Sequence, residues 1–149
     1  MIELLIRQSI EAAAPADILW KILTNSEFIR QYMFGCNAES GWKPGSPLLW
    51  RGAVDGTLYV KGNIVSIDPP RSLIYTVFDP NSTMADIPAN YLTMTYKLTP
   101  LTERVTQLEI TQGDFSKVEN GQKRYQDSLD GSEILETIKT LAEQQAYSS

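Results

Sequence analysis

Six short runs of β character follow one another between residues 35 and 111, each closed by turn residues, with helical patterns on either side. The runs are 36–40, 47–54, 58–67, 72–78, 91–98 and 105–111. Their punctuation is Lys43-Pro44-Gly45, Asp55-Gly56, Asp68-Pro69-Pro70 and Thr99-Pro100-Leu101-Thr102. Strands in such close succession leave no room for helical crossovers, which predicts a mainly antiparallel meander. Asp55-Gly56, between two alternating runs, predicts a tight hairpin. The stretch 79–90, with two prolines and small polar residues, reads as a loop.

Ahead of this block, Ile2, Leu4, Ile6, Gln8 and Ile10 alternate with Glu3, Leu5, Arg7, Ser9 and Glu11, which predicts one more half-buried strand. Pro15 then opens a helix with Asp17 in its first turn and Ile18, Leu19, Ile22 and Leu23 as its core stripe. Asn25-Ser26 ends that helix and caps a second, on which Phe28, Ile29, Tyr32 and Met33 repeat the spacing. After the block, Leu129, Ile134, Leu135, Ile138, Leu141 and Ala142 recur every three or four residues, predicting a helix over 132–145 with an earlier turn near Tyr125. The mixed-charge stretch 117–124 reads as a solvated loop. No repeat, low-complexity tract or linker divides the chain, so residues 1–149 are expected to form one domain.

The same sequence excludes much chemistry. It has no histidine, hence no Ser-His-Asp triad, histidine base or histidine-bound metal. Cys36 is the single cysteine, so there is no internal disulfide and no CxxC pair; without an activating base it reads as a small buried hydrophobe. A net charge of −5 argues against nucleic acid as a partner. No apolar run reaches the roughly 18 residues of a membrane span, and the first residues read as a strand rather than a leader. With reduced cysteine chemistry, the expected location is the cytoplasm. No phosphate-cradling glycine loop or calcium loop occurs, and no cofactor is expected. Asp55, Asp68, Asp79, Asp86 and Asp114 all stand beside turn residues, where aspartate caps the backbone, and Glu109 alternates outward from Leu108 and Ile110.

Short motifs, each weak alone and telling by their order, follow one another along nearly the whole chain: residues 15–20 opening the first helix, 41–48 with Trp42-Lys43-Pro44-Gly45, 62–75 with Asp68-Pro69-Pro70-Arg71, 95–100 with Leu98-Thr99-Pro100, and 107–115 with Gln112-Gly113-Asp114-Phe115. With them the chain resembles the SRPBCC, or START-like (helix-grip), superfamily. Within it, the chain is similar to the branch homologous to the C-terminal domain of the ATPase activator of the ninety-kilodalton heat-shock chaperone. One departure is Gln126-Asp127-Ser128-Leu129, where members often carry a Gly-Trp pair. The resemblance implies an α+β helix-grip fold. A curved antiparallel sheet of about six to seven strands would wrap around a long C-terminal helix, with two short helices after the first strand.

A sheet and a single helix enclose space between them, which makes noncovalent binding of a small hydrophobic molecule the favoured function. The cavity candidates are Met33, Phe34, Trp50, Tyr75, Met94, Tyr96, Ile134, Leu135 and Ile138. Leu92, Met94, Tyr96 and Leu98 share one strand face, and Leu73, Tyr75 and Val77 another, so both tyrosines are expected to point inward. Met84 is expected beside Met33 and Phe34 near the entrance, where flexible thioethers suit varied apolar shapes. Each of these residues also suits plain core packing. The alternative function is a protein-interaction module, with a chaperone or a second copy of the chain as partner and an apolar patch outside the cavity. A third reading, a cyclase- or hydrolase-like enzyme, requires a buried acid with a raised pKa.

Overall fold

Alternation makes Ile6–Ala12 the first strand, β1, with Ile6 and Ala12 buried and Arg7, Ser9 and Glu11 turned outward. The computed structural model describes residues 4–128 and 132–148, so Ile2 and Leu129 of the expected patterns lie outside the described residues. Ala16–Thr24 (α1) follows, burying Leu19, Ile22 and Leu23. Asn25 separates it from Ser26–Tyr32 (α2), and its side-chain oxygen accepts the Glu27 N–H at 2.9 Å, the expected cap. α2 ends before Met33. Phe34 and Gly35 both take left-handed backbone (φ 54° and 80°), and the Gly35 N–H closes onto the Arg30 carbonyl at 3.0 Å.

The meander then runs Cys36–Ser40 (β2), Pro47–Gly52 (β3), Leu58–Asp68 (β4), Ser72–Val77 (β5), Leu92–Thr102 (β6) and Val105–Gly113 (β7). With β1 these strands make a seven-stranded antiparallel sheet in the order β1-β7-β6-β5-β4-β3-β2. The predicted runs match these ranges closely, with two corrections. Asp55-Gly56 is not a two-residue turn: residues 53–57 all lie in the connection, and the Gly52 N–H reaches the Thr57 carbonyl at 2.8 Å. A register shift at Trp50 and Arg51 and the Asp55 carboxylate, which accepts the Thr57 N–H, stabilise the wider loop. Nor do residues 99–102 form a turn, because β6 continues through Pro100 to Thr102. β5 pairs with β6 only as far as Ser72↔Lys97, so Pro100 has β7 on one side alone and its missing N–H breaks no ladder.

At the outer edge of the sheet, the Ser26 hydroxyl both donates to the Ala38 carbonyl and accepts its N–H, each at 3.1 Å, while the Cys36 N–H donates to the Met33 carbonyl at 3.0 Å. After β7 comes a helix the sequence reading placed in a loop: residues 121–124 belong to Gly121–Ser128 (α3). Tertiary anchors explain it. Tyr125 packs edge-on against fully buried Phe115, with centroids 5.7 Å apart, and Arg124 Nη1 donates to the Asn90 carbonyl at 3.1 Å. Ser132–Ser148 (α4) packs against β1, α1 and α2, and closes the concave side of the curved sheet. Leu135, Ile138, Leu141 and Ala142 enter the main core with Leu19, Ile22, Leu48, Leu73 and Leu108. This is the α+β helix-grip arrangement. Among the described residues no helix is long and apolar enough to cross a membrane.

Candidate functional site

Antiparallel register sets two rows of side chains across the concave face. Tyr75 lies opposite Met94, and Met94 opposite Gln112; in the next row Tyr96 lies opposite Ile110, and Ile110 opposite Gln8. Trp50 and Val60 form a third facing pair on β3 and β4. Together with Met33 at the end of α2 and Ile134 on α4, these residues enclose a cavity of about 220 Å³. An apolar cavity of roughly 150 Å³ already admits a single aromatic ring.

Three aromatic residues on the concave face are almost wholly buried: Trp50, Tyr75 and Tyr96. The Tyr75 and Tyr96 rings meet edge to face with centroids 5.4 Å apart, and their hydroxyls are 2.7 Å apart. Trp50 tilts against Tyr75 at 6.0 Å, and its indole nitrogen is a buried donor without a hydrogen-bond partner among the described residues. Behind them the Tyr32 hydroxyl donates to the Ile22 carbonyl at 3.2 Å. Burial pushes the phenols of Tyr32 and Tyr75 well above the ordinary value, and that of Tyr96 also up. All three are therefore neutral at physiological pH.

A raised folded pKa means that this part of the stability is intact below the free phenol value of about 10 and is lost as pH rises past it. In a spectrophotometric alkaline titration, Tyr32, Tyr75 and Tyr96 are expected to ionise only together with cooperative unfolding. Ionisation of these three phenols before any loss of structure would contradict the burial.

Six of the expected cavity residues come together here: Met33, Trp50, Tyr75, Met94, Tyr96 and Ile134. Three do not. Leu135 and Ile138 point into the solid core, because they lie on the stripe of α4 that meets α1 and β1. Phe34 is 89% exposed, turned out by its left-handed backbone. Met84 is also displaced from the entrance; its sulfur sits 3.7 Å from Arg124 Nη1. Gln8, Val60, Val77, Ile110 and Gln112 were missed. For the glutamines the signal was present: each interrupts an otherwise apolar inward face at two-residue spacing, Gln8 between Ile6 and Ile10, Gln112 after Leu108 and Ile110.

Among the described residues no acid lines this space. Asp55 and Asp86 are exposed and Asp114 is half-buried, and hydrogen bonds hold each carboxyl below the usual range: from Tyr59 and the Thr57 N–H, from Lys61 and Tyr91, and from Ser116 and the Leu4 N–H respectively. Burial and the Asp55 charge push the Cys36 thiol up, which suits packing rather than nucleophilic attack. Among the described residues no group of three or more metal-ligating side chains converges.

The family described as "Activator of Hsp90 ATPase homolog 1-like protein" matches residues 13–143. Among solved structures, ChR145 from Cytophaga hutchinsonii is 34% identical, with 100% of this chain and 99% of that one covered and a TM-score of 0.74. PFC0360w, an HSP90 activator from Plasmodium falciparum, is 16% identical over 85% of this chain and 87% of its own, with a TM-score of 0.62. The Aha1 dimer from Colwellia psychrerythraea is 13% identical over 96% and 97%, with a TM-score of 0.70. No curated protein matches the chain.

Proposed function

Since the chain belongs to the family of activator of Hsp90 ATPase homolog 1-like proteins and has its helix-grip fold, we propose that it binds a small hydrophobic molecule in the cavity between sheet and C-terminal helix. The observation that carries this reading is the cavity itself: about 220 Å³, walled mainly by Trp50, Tyr75, Met94, Tyr96 and Ile134. Burying roughly 200 Å² of apolar ligand surface at about 25 cal/mol per Å² gives about 5 kcal/mol gross. The losses of association are set against this gain, so affinities no tighter than about millimolar follow for single-ring ligands.

A second reading has its own observation. Phe34 is 89% and Val54 102% exposed, on loops tied together by the Ala53 N–H donating to the Gly35 carbonyl at 3.0 Å. Two bare apolar side chains outside the cavity are what a protein partner would cover. One relative of the same fold is an HSP90 activator, which makes a chaperone the partner to try.

An amide-shift NMR titration separates the two. Aromatic and aliphatic small molecules should give saturable shifts confined to Trp50, Tyr75, Met94, Tyr96 and Ile134. Silence from every small molecule, together with shifts at Phe34 and Val54 on adding the chaperone, would overturn the cavity reading in favour of the second.

A further inference from the structure

We infer that the cavity selects a neutral molecule of one or two rings carrying a single uncharged oxygen group, and rejects carboxylates of the same shape; this rests on the cavity reading above. Three observations converge. Among the described residues no Asp, Glu, Lys or Arg lines the space, so a charge brought into it would lose its hydration without gaining a counter-ion from them. The volume of about 220 Å³ is too small for a sterol-sized body. Finally, the polarity is concentrated. Gln8 and Gln112 line one end, on the neighbouring strands β1 and β7, and neither carboxamide has a hydrogen-bond partner among the described residues.

A carboxamide offers two donor hydrogens and an acceptor oxygen, so the pair can bond a carbonyl or hydroxyl but supplies no charge. The Tyr75–Tyr96 contact adds to this. Two phenols that share one hydrogen bond leave the second hydroxyl hydrogen available to an acceptor. The opposite end, at Trp50 and Val60, is apolar or aromatic but for one polar hydrogen, the unpartnered Trp50 indole N–H, against two carboxamides at the glutamine end. The ligand is thereby oriented, ring towards Trp50 and oxygen towards the glutamines.

Three probes of nearly one shape test this: acetophenone, its hydrocarbon isostere cumene, and benzoate. In amide-shift titrations at neutral pH, acetophenone is expected to perturb the cavity residues and benzoate to bind at least about tenfold more weakly. In Gln8→Leu/Gln112→Leu, the affinity for acetophenone relative to cumene should fall about tenfold. Equal binding of benzoate and acetophenone by the unaltered protein overturns the inference, as does an unchanged ketone-to-hydrocarbon ratio in the variant; in both cases the cavity reading stands. Failure of acetophenone and cumene alike to bind overturns the cavity reading and this inference with it. The comparison with benzoate needs no variant, so the inference is exposed to test even if the double substitution does not fold.

Discussion

Gly62→Ala is expected to destabilise the protein by about 3 kcal/mol or more, the upper part of the range for overpacking. A Cβ at this position would stand 1.6 Å from the Thr76 carbonyl oxygen and 2.4 Å from its carbon. Both are backbone atoms, so no side chain can swing aside. Gly62 sits between the Lys61↔Phe78 bridge and the Ile64↔Tyr75 pair, where β4 lies tightly on β5. Thr76 is flanked by Tyr75 and Val77, both in the cavity wall, and its hydroxyl accepts the Asn63 N–H at 3.0 Å. Making room for one methyl must therefore shift the wall as well as the ladder. For a domain of this size the melting temperature should fall by roughly 6–12 °C, and the amide signals of Tyr75 and Val77 should move. A substitution that leaves both unchanged would show that the strands are farther apart here than described.

Ile138→Asp should be more damaging still. Ile138 is fully buried on α4, within the core shared with β1, α1 and α2. An unpaired carboxylate there costs several kcal/mol, comparable to the whole stability of a typical domain. The variant is expected to show no cooperative thermal transition at neutral pH, whereas Ile138→Val should cost only about 0.5–1.5 kcal/mol. A cooperative transition in Ile138→Asp would mean that α4 is not seated in the concavity. The same core position explains why Ile138 was a poor cavity candidate: its methyl groups fill the grip rather than line a space.

Local chemistry made most of the architecture legible. Alternation and turn residues located the strands, and Asn25 marked the break between two short helices because its carboxamide caps the second. Where the sequence misled, a distant partner had changed the outcome. Pro100 usually ends a strand, yet β6 passes through it because β5 has already stopped at Ser72. Residues 121–124 looked like solvated loop, but Phe115 and Asn90 hold the helix that contains them. The cavity was legible in outline, since inward-facing residues follow from strand period. Its polar end was legible only as two separate inward-facing glutamines, because pairing register brings Gln8 and Gln112 to adjoining strands and no spacing within the chain records that. Phe34 was misplaced by a single backbone turn, which no pattern of apolar residues reveals.

The serine at the start of α2 has a consequence for solubility. An outermost strand ordinarily offers its bare amides and carbonyls as a template on which another chain can polymerise. In β2 the first half of that template is already taken: Ser26 occupies both backbone groups of Ala38, and Met33 takes the amide of Cys36. Strand-by-strand growth into fibrils is thereby hindered at this end of the sheet, whose other edge is β1.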